Sequence, residues 1–114
     1  MASSGPKMTL ATILVLRAML EHPTRELYGV EICEAAGLAS GTVHPLLARL
    51  ESIGWLESRW EEIDTHSEGR PRRRYYKLSP RGAELARDAL ARAGKRTSAL
   101  VAFRPGPLVG EGLA

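Results

Sequence analysis

The sequence predicts a mainly α-helical α+β domain in which a small β-hairpin separates three short helices from one long one. Three observations predict it. Apolar residues recur at helical spacing in three short stretches, each closed by proline or glycine. A strand-like stretch from Trp55 to Trp60 returns, through a loop rich in turn residues, to Tyr75-Tyr76-Lys77-Leu78. Ser79-Pro80 then opens a run of small and apolar residues at heptad-like intervals.

The first helix is expected over 9–20. Leu10, Ile13, Leu14 and Leu20 recur near helical spacing, Thr9 supplies an N-cap, and Pro23 bars continuation. A second helix is expected over 27–36, with Val30, Ile32 and Cys33 as its apolar members and Gly37 as its stop. Residues 37–41 form a tight turn in which Leu38 dips into the core.

The third helix is expected over 40–53, closed by Gly54. Val43, Leu46, Leu47, Leu50 and Ile53 share one face. The other carries Gly41, Pro45, Ala48 and Ser52, flanked by Thr42, His44 and Arg49, and is free of acid until Glu51. A helix face made only for solubility alternates Glu and Lys; this one is small and suited to close approach. Pro45 conflicts with a regular helix, since it lacks an N–H and pushes His44 from the α region.

Strands are expected over 55–60 and 73–78, with 61–69 as the loop and Trp55 and Trp60 as anchors. The last helix is expected over 80–101. Along it Ala83, Ala86, Leu90, Ala93, Thr97 and Leu100 form a seam that, with Leu10 and Leu14 of the first helix, is assigned to dimerisation. The expected division is a flexible N-terminus (1–8), a folded unit (9–78), the dimerisation helix (79–101) and a flexible tail (102–114).

The 114 residues suffice for one domain with a modest core. Hydrophobic content of 44% and charged content of 25% are ordinary for a globular chain. The single cysteine, Cys33, excludes an intramolecular disulfide and reads as a core residue, and the scattered His22, His44 and His66 offer no metal-ligand spacing. No cofactor is expected. The apolar run over 10–16 is too short for a membrane span, so the cytosol is the expected compartment. No nucleophile–base set, carboxylate pair or phosphate-cradling glycine loop suggests an enzyme.

The net charge of +3 is unevenly spread. Arg70, Arg72, Arg73, Arg74 and Lys77 lie together, and Glu57, Glu61, Glu62, Asp64 and Glu68 sit just upstream. Guanidinium forks on a protruding hairpin suit phosphates, which each fork grips through two oxygens. Two helices joined by a short glycine turn form a helix-turn-helix, whose second helix enters a major groove. The adjacent basic hairpin makes it a winged helix-turn-helix with double-stranded DNA as the expected partner. Ser40 and Thr42 either cap the third helix or meet phosphate. Tyr28 and Arg49 complete the candidate contacts with His44, Pro45, Arg70, Arg72, Arg73 and Arg74.

Four blocks carry a family resemblance: Tyr28-Gly29-Val30-Glu31-Ile32; Ser40-Gly41-Thr42-Val43-His44-Pro45-Leu46-Leu47-Ala48-Arg49-Leu50-Glu51; Gly54-Trp55-Leu56; and Gly69-Arg70-Pro71-Arg72-Arg73-Arg74-Tyr75-Tyr76-Lys77-Leu78-Ser79-Pro80-Arg81-Gly82. Over about 10–82 the chain resembles the PadR family of bacterial transcriptional regulators. The resemblance implies a homodimer on an inverted-repeat operator, usually repressing, in the compact branch with one C-terminal dimerisation helix. Some family dimers bind flat effectors, for which Trp55 and Trp60 are the candidates. His44 stands where the family commonly has tyrosine. The alternative reading is a winged-helix interaction module whose basic tip binds an acidic protein partner.

Overall fold

In the computed structural model, which describes residues 5–102 and side chains as far as Thr97, the elements are α1 (Leu10–Leu20), β1 (Leu27–Tyr28), α2 (Gly29–Ala36), α3 (Ser40–Ser52), β2 (Leu56–Trp60), α4 (Thr65–Glu68), β3 (Arg74–Leu78) and α5 (Pro80–Ala102). The expectations for Leu100 and for 103–114 lie outside the described residues and side chains.

Thr9 caps α1 as its sequence predicts, its Oγ1 accepting from the Thr12 amide at 3.2 Å. Val15, Leu16, Ala18 and Met19 are buried from this helix, whereas Leu10 is 70% exposed. Ahead of it, Met8 packs against the core, and Gly5 lies so close to the Trp55 indole that a Cβ there would approach a ring carbon at 2.9 Å.

The second helix begins at Gly29 rather than at residue 27, because Leu27 and Tyr28 pair with β3 instead (Leu27 with Tyr76, Tyr28 with Tyr75). Tyr28 then serves as the N-cap of α2, its amide donating to Glu31 Oε1 at 3.1 Å. Ile32 and Ala36 face the core, but Val30, expected there, is exposed. Gly37 ends the helix in the left-handed region (φ 71°), where the amides of Gly37 and Leu38 both reach the Cys33 carbonyl. Leu38 and Cys33 pack against the core, as expected.

Val43, Leu47 and Leu50 seat α3, fully buried, with Leu46 partly so; Ile53 follows the helix end and is exposed. β2 and β3 pair antiparallel from Leu56–Leu78 to Trp60–Arg74, giving a three-stranded sheet in the order β1-β3-β2. The loop expected between the strands holds one helical turn, α4, because Asp64 accepts from the His66 amide and the Ser67 hydroxyl, both at 3.0 Å.

Ser79 fastens the hairpin to α5. Its amide donates to the Trp55 carbonyl at 2.9 Å, its hydroxyl donates to the Gly54 carbonyl at 2.8 Å, and that hydroxyl accepts from the Gly82 amide at 2.9 Å. α5 passes so close to β2 that a Cβ on Gly82 would stand 2.0 Å from the Trp55 oxygen. Ala83, Ala86 and Ala89 join the core, and Ala93 is also buried within this chain. Small side chains let the helix lie close to its own domain. The expected seam therefore divides: Ala86 and Ala93 are taken up internally, Leu90 is half-buried, and Thr97 is exposed, its hydroxyl donating to the Ala93 carbonyl at 3.0 Å.

Candidate nucleic-acid interface

α3 turns one uniform face outward. Ser40, Gly41, Thr42, His44, Pro45, Ala48, Arg49 and Ser52 are all exposed. Neither Ser40 nor Thr42 caps the helix. Ala39 is the N-cap and supplies no side-chain acceptor, so the amides of the first turn meet only its carbonyl, at 3.0 Å from Thr42 and 3.1 Å from Val43. Pro45 is the sixth helical residue and leaves the Gly41 carbonyl without its usual partner.

His44 bridges two helices. Its Nδ1–H donates to the Ser40 carbonyl at 3.0 Å, which turns Nε2 toward Gly29 at the start of α2. A Cβ on Gly29 would stand 3.0 Å from that nitrogen, so the missing side chain makes room for the imidazole. Tyr28, Val30, Trp60 and Arg74 line the small cleft beside it.

The wing arginines divide by environment. Arg70 forms a two-pronged pair with Glu61, at 2.8 Å to Oε1 and 3.0 Å to Oε2. Arg73 lies with its guanidinium 4.2 Å from the centre of the Tyr28 ring, which meets Tyr75 edge-on at 5.8 Å. Arg74 donates to the Ser58 hydroxyl at 2.8 Å, approaches Glu51 at 3.6 Å and lies 4.9 Å over Trp60. Arg72 alone of the four is exposed, and among the described residues no acid pairs with it. Of the four expected phosphate contacts, Arg70, Arg73 and Arg74 thus have partners within the chain, and Arg72 is the exposed one.

Glu61, one of the acids just upstream of the arginines, is a structural partner of the wing. Arg70 beside Glu61, aided by the Arg73 amide, holds the Glu61 carboxyl well below the usual carboxylate range, at about 2 against a desolvation that opposes it. Arg59 grips Glu26 at 2.7 Å through two nitrogens and lies 5.2 Å over Tyr75, which ties β2 to the approach of β1. The Arg59 contact likewise lowers the Glu26 pKa. Glu51 accepts from the Ser58 hydroxyl at 2.5 Å.

The two tryptophans do not share a pocket. Trp55 is buried at a cleft of about 560 Å³ bounded by residues 5–8 and α5, with Ile53 and Leu85 as apolar walls and Arg81 and Arg92 at its rim. Trp60, expected as an anchor, is 55% exposed and lines a wider cleft of about 1120 Å³ with Ile63, Pro71 and Arg72. It stands at the far end of β2, directly opposite Arg74, beyond the reach of the core.

Among the described residues no group of three His, Cys, Asp or Glu side chains gathers as a metal site. No helix among them is long and apolar enough to cross a membrane.

Helix, short strand, helix, turn, exposed helix and β-hairpin, followed by a long helix, define a winged-helix protein. The chain matches the transcriptional regulator PadR-like family over residues 18–88, and it belongs to that family. Solved structures of similar fold include a PadR family transcription regulator from Clostridium difficile R20291, at 23% identity and a TM-score of 0.65 over 83% of this chain and 98% of that one. A PadR-like transcriptional regulator from Bacillus cereus shares 19% identity at a TM-score of 0.64, over 86% of this chain and 97% of that one. BpsR of Bordetella bronchiseptica, whose DNA binding is regulated by 6-hydroxynicotinic acid, shares 20% identity at 0.65, over 87% of this chain and 69% of that one. No curated protein matches the chain.

Proposed function

We propose that this transcriptional regulator binds double-stranded DNA as a homodimer and represses from an inverted-repeat operator. The observation that carries the reading is the outward face of α3, where Ser40, Thr42, His44, Pro45 and Arg49 are exposed together beside the wing that presents Arg72. The uncapped first turn of α3 offers amides to a phosphate, and the small residues Gly41 and Ala48 allow close entry to a major groove. His44 and Arg49 are then the base-reading candidates, and Arg72 a phosphate contact. Tyr28, Arg73 and Arg74 line the passage between α3 and the wing along which a DNA backbone would run.

Dimerisation is assigned to α1 and α5, where Leu10 is exposed and Leu14 and Leu90 are only half-buried, with Thr97 and Leu100 continuing the seam. Two such units would place their recognition helices about 34–36 Å apart, one turn of DNA. A small effector is assigned to the Trp55 cleft, whose apolar walls and the Arg81 guanidinium suit a flat carboxylate. The effector of BpsR is of that chemical class. Such a protein works in the bacterial cytoplasm.

Selection of bound genomic fragments at roughly physiological salt, where non-specific binding is weak (Kd about 10⁻⁴–10⁻⁶ M), tests the reading. Recovery of a short inverted repeat is the expected result. A well-folded dimer that enriches no motif would instead favour a winged-helix module that binds an acidic protein through Arg72.

A further inference from the structure

We infer that Glu61 and Arg70 are positioning residues that hold the wing in the shape that presents Arg72, and that Arg70 is not itself a phosphate contact. The inference rests on the DNA-binding reading above. Glu61 closes the loop through three separate contacts. Its amide donates to the Arg73 carbonyl at 2.8 Å, its Oε1 accepts from the Arg73 amide at 3.2 Å, and both its oxygens accept from Arg70. One carboxylate thus ties the start of the loop both to its end and to a point three residues earlier.

The Glu61 side chain is only 14% exposed and that of Arg70 32%. Arg70 also donates to the Pro71 carbonyl at 3.3 Å, which pins the turn out of Gly69. Between the two pinned points, Pro71 and Arg72 are the residues left pointing outward. The end-on fork of Arg70, its Nη1 and Nη2, is already filled by the Glu61 carboxylate and is not open to phosphate. To turn that fork onto DNA it would have to release Glu61, leaving a carboxylate facing the duplex.

The two roles predict opposite signs for one substitution. If Arg70 is a positioning residue, Glu61→Gln loosens the loop and weakens DNA binding, by about two- to fivefold for a partly exposed pair. If Arg70 grips phosphate, Glu61→Gln frees it and removes a repelling charge, so binding tightens.

The experiment measures affinity of the full chain for a labelled mixed-sequence duplex across about 50–200 mM salt, for the wild type and for Glu61→Gln, Arg70→Gln and Arg72→Ala. Expected are weaker binding with an unchanged salt slope for Glu61→Gln and Arg70→Gln, and a slope flatter by about 1.8 for Arg72→Ala, about 0.9 for each of the two wings of the dimer. Amide exchange of the free protein supplies a readout independent of DNA: the Arg73 amide should exchange about tenfold faster in Glu61→Gln. Tighter binding by Glu61→Gln, a flattened slope for Arg70→Gln, or unaltered Arg73 exchange would each overturn the assignment. A wild type with no salt-dependent DNA binding would instead overturn the DNA-binding reading, whatever the exchange data showed.

Discussion

The Arg73 guanidinium lies 4.2 Å over the Tyr28 ring and so joins the root of the wing to the start of α2. Tyr28 pairs with Tyr75 across β1 and β3, and Arg73 immediately precedes β3. The contact uses the ring face. Tyr28→Leu should therefore lower stability by about 0.5–1 kcal/mol beyond any change in buried area, whereas Tyr28→Phe should be nearly silent. Urea unfolding of the two variants checks this, and equal losses would show that the hydroxyl matters instead of the ring.

Gly82 answers to a different constraint. A Cβ there would stand 2.0 Å from the Trp55 oxygen and 2.7 Å from its Cα, both backbone atoms that cannot swing aside. Gly82→Ala must push α5 off β2 and strain the Ser79 junction. A loss of about 3 kcal/mol or more is expected, read as a lowered thermal midpoint. Gly94 faces open space in the same helix, so Gly94→Ala should stabilise by up to about 1 kcal/mol and serves as the control.

Most of this architecture was legible in the sequence because it rests on periodicity and punctuation. Thr9, Gly37, Gly54 and Ser79-Pro80 mark real boundaries, and the Val43-Leu47-Leu50 stripe identifies the buried face of α3 and, by subtraction, its outward face. A two-residue strand such as β1 carries no period, so Leu27 and Tyr28 read as the start of a helix. The arginine run announced a basic wing, but sequence spacing cannot tell a free guanidinium from a paired one. Glu61 lies nine residues from Arg70, and Glu26 lies 33 from Arg59; only the hairpin and the edge strand bring them together. Alanines of the α5 seam read two ways for a related reason, because a small residue suits an intrachain contact as well as a dimer seam.

Acid should weaken the fold through the wing. The Glu61 carboxyl is depressed to about 2 from an ordinary 4.5, and those of Glu26 and Asp64 are lowered as well. A depressed carboxylate contributes stability that is fully present above its unfolded pKa and is lost as the pH falls through its folded value. For Glu61 the loss should run from about pH 4.5 down to about pH 2. Thermal midpoints across that interval should fall more steeply for the wild type than for Glu61→Gln, which lacks the titrating group. Parallel curves would mean that the pair contributes nothing to folding.

Gly29 and His44 separate recognition from stability. A methyl group at Gly29 would meet the imidazole Nε2 at 3.0 Å, and the exposed ring can give way by rotating. Gly29→Ala should therefore shift stability by no more than about 0.5 kcal/mol. It should nonetheless alter preference among operator variants, since the ring leaves its hydrogen bond to Ser40. Comparison of Gly29→Ala with His44→Ala on the same operator set decides the matter. Matching changes in preference would place His44 at the bases, whereas two unaltered preferences would remove it from the interface.

Pro45 is the residue whose local energetics argue most directly for function. Within a helix interior, proline is about 3 kcal/mol less favourable than alanine, through the missing N–H and the clash of its ring with the carbonyl four residues back. Here that carbonyl belongs to Gly41, whose lack of a side chain eases the crowding, and both residues are exposed. Nothing in the packing of the chain requires proline at this position. Pro45→Ala should accordingly stabilise the protein by about 1–3 kcal/mol, read as a higher urea midpoint with an unchanged slope. If the proline is kept for the shape it gives the outward face of α3, the same variant should bind its operator more weakly although its fold is firmer. A variant both firmer and equally tight on DNA would show that the proline has no part in recognition.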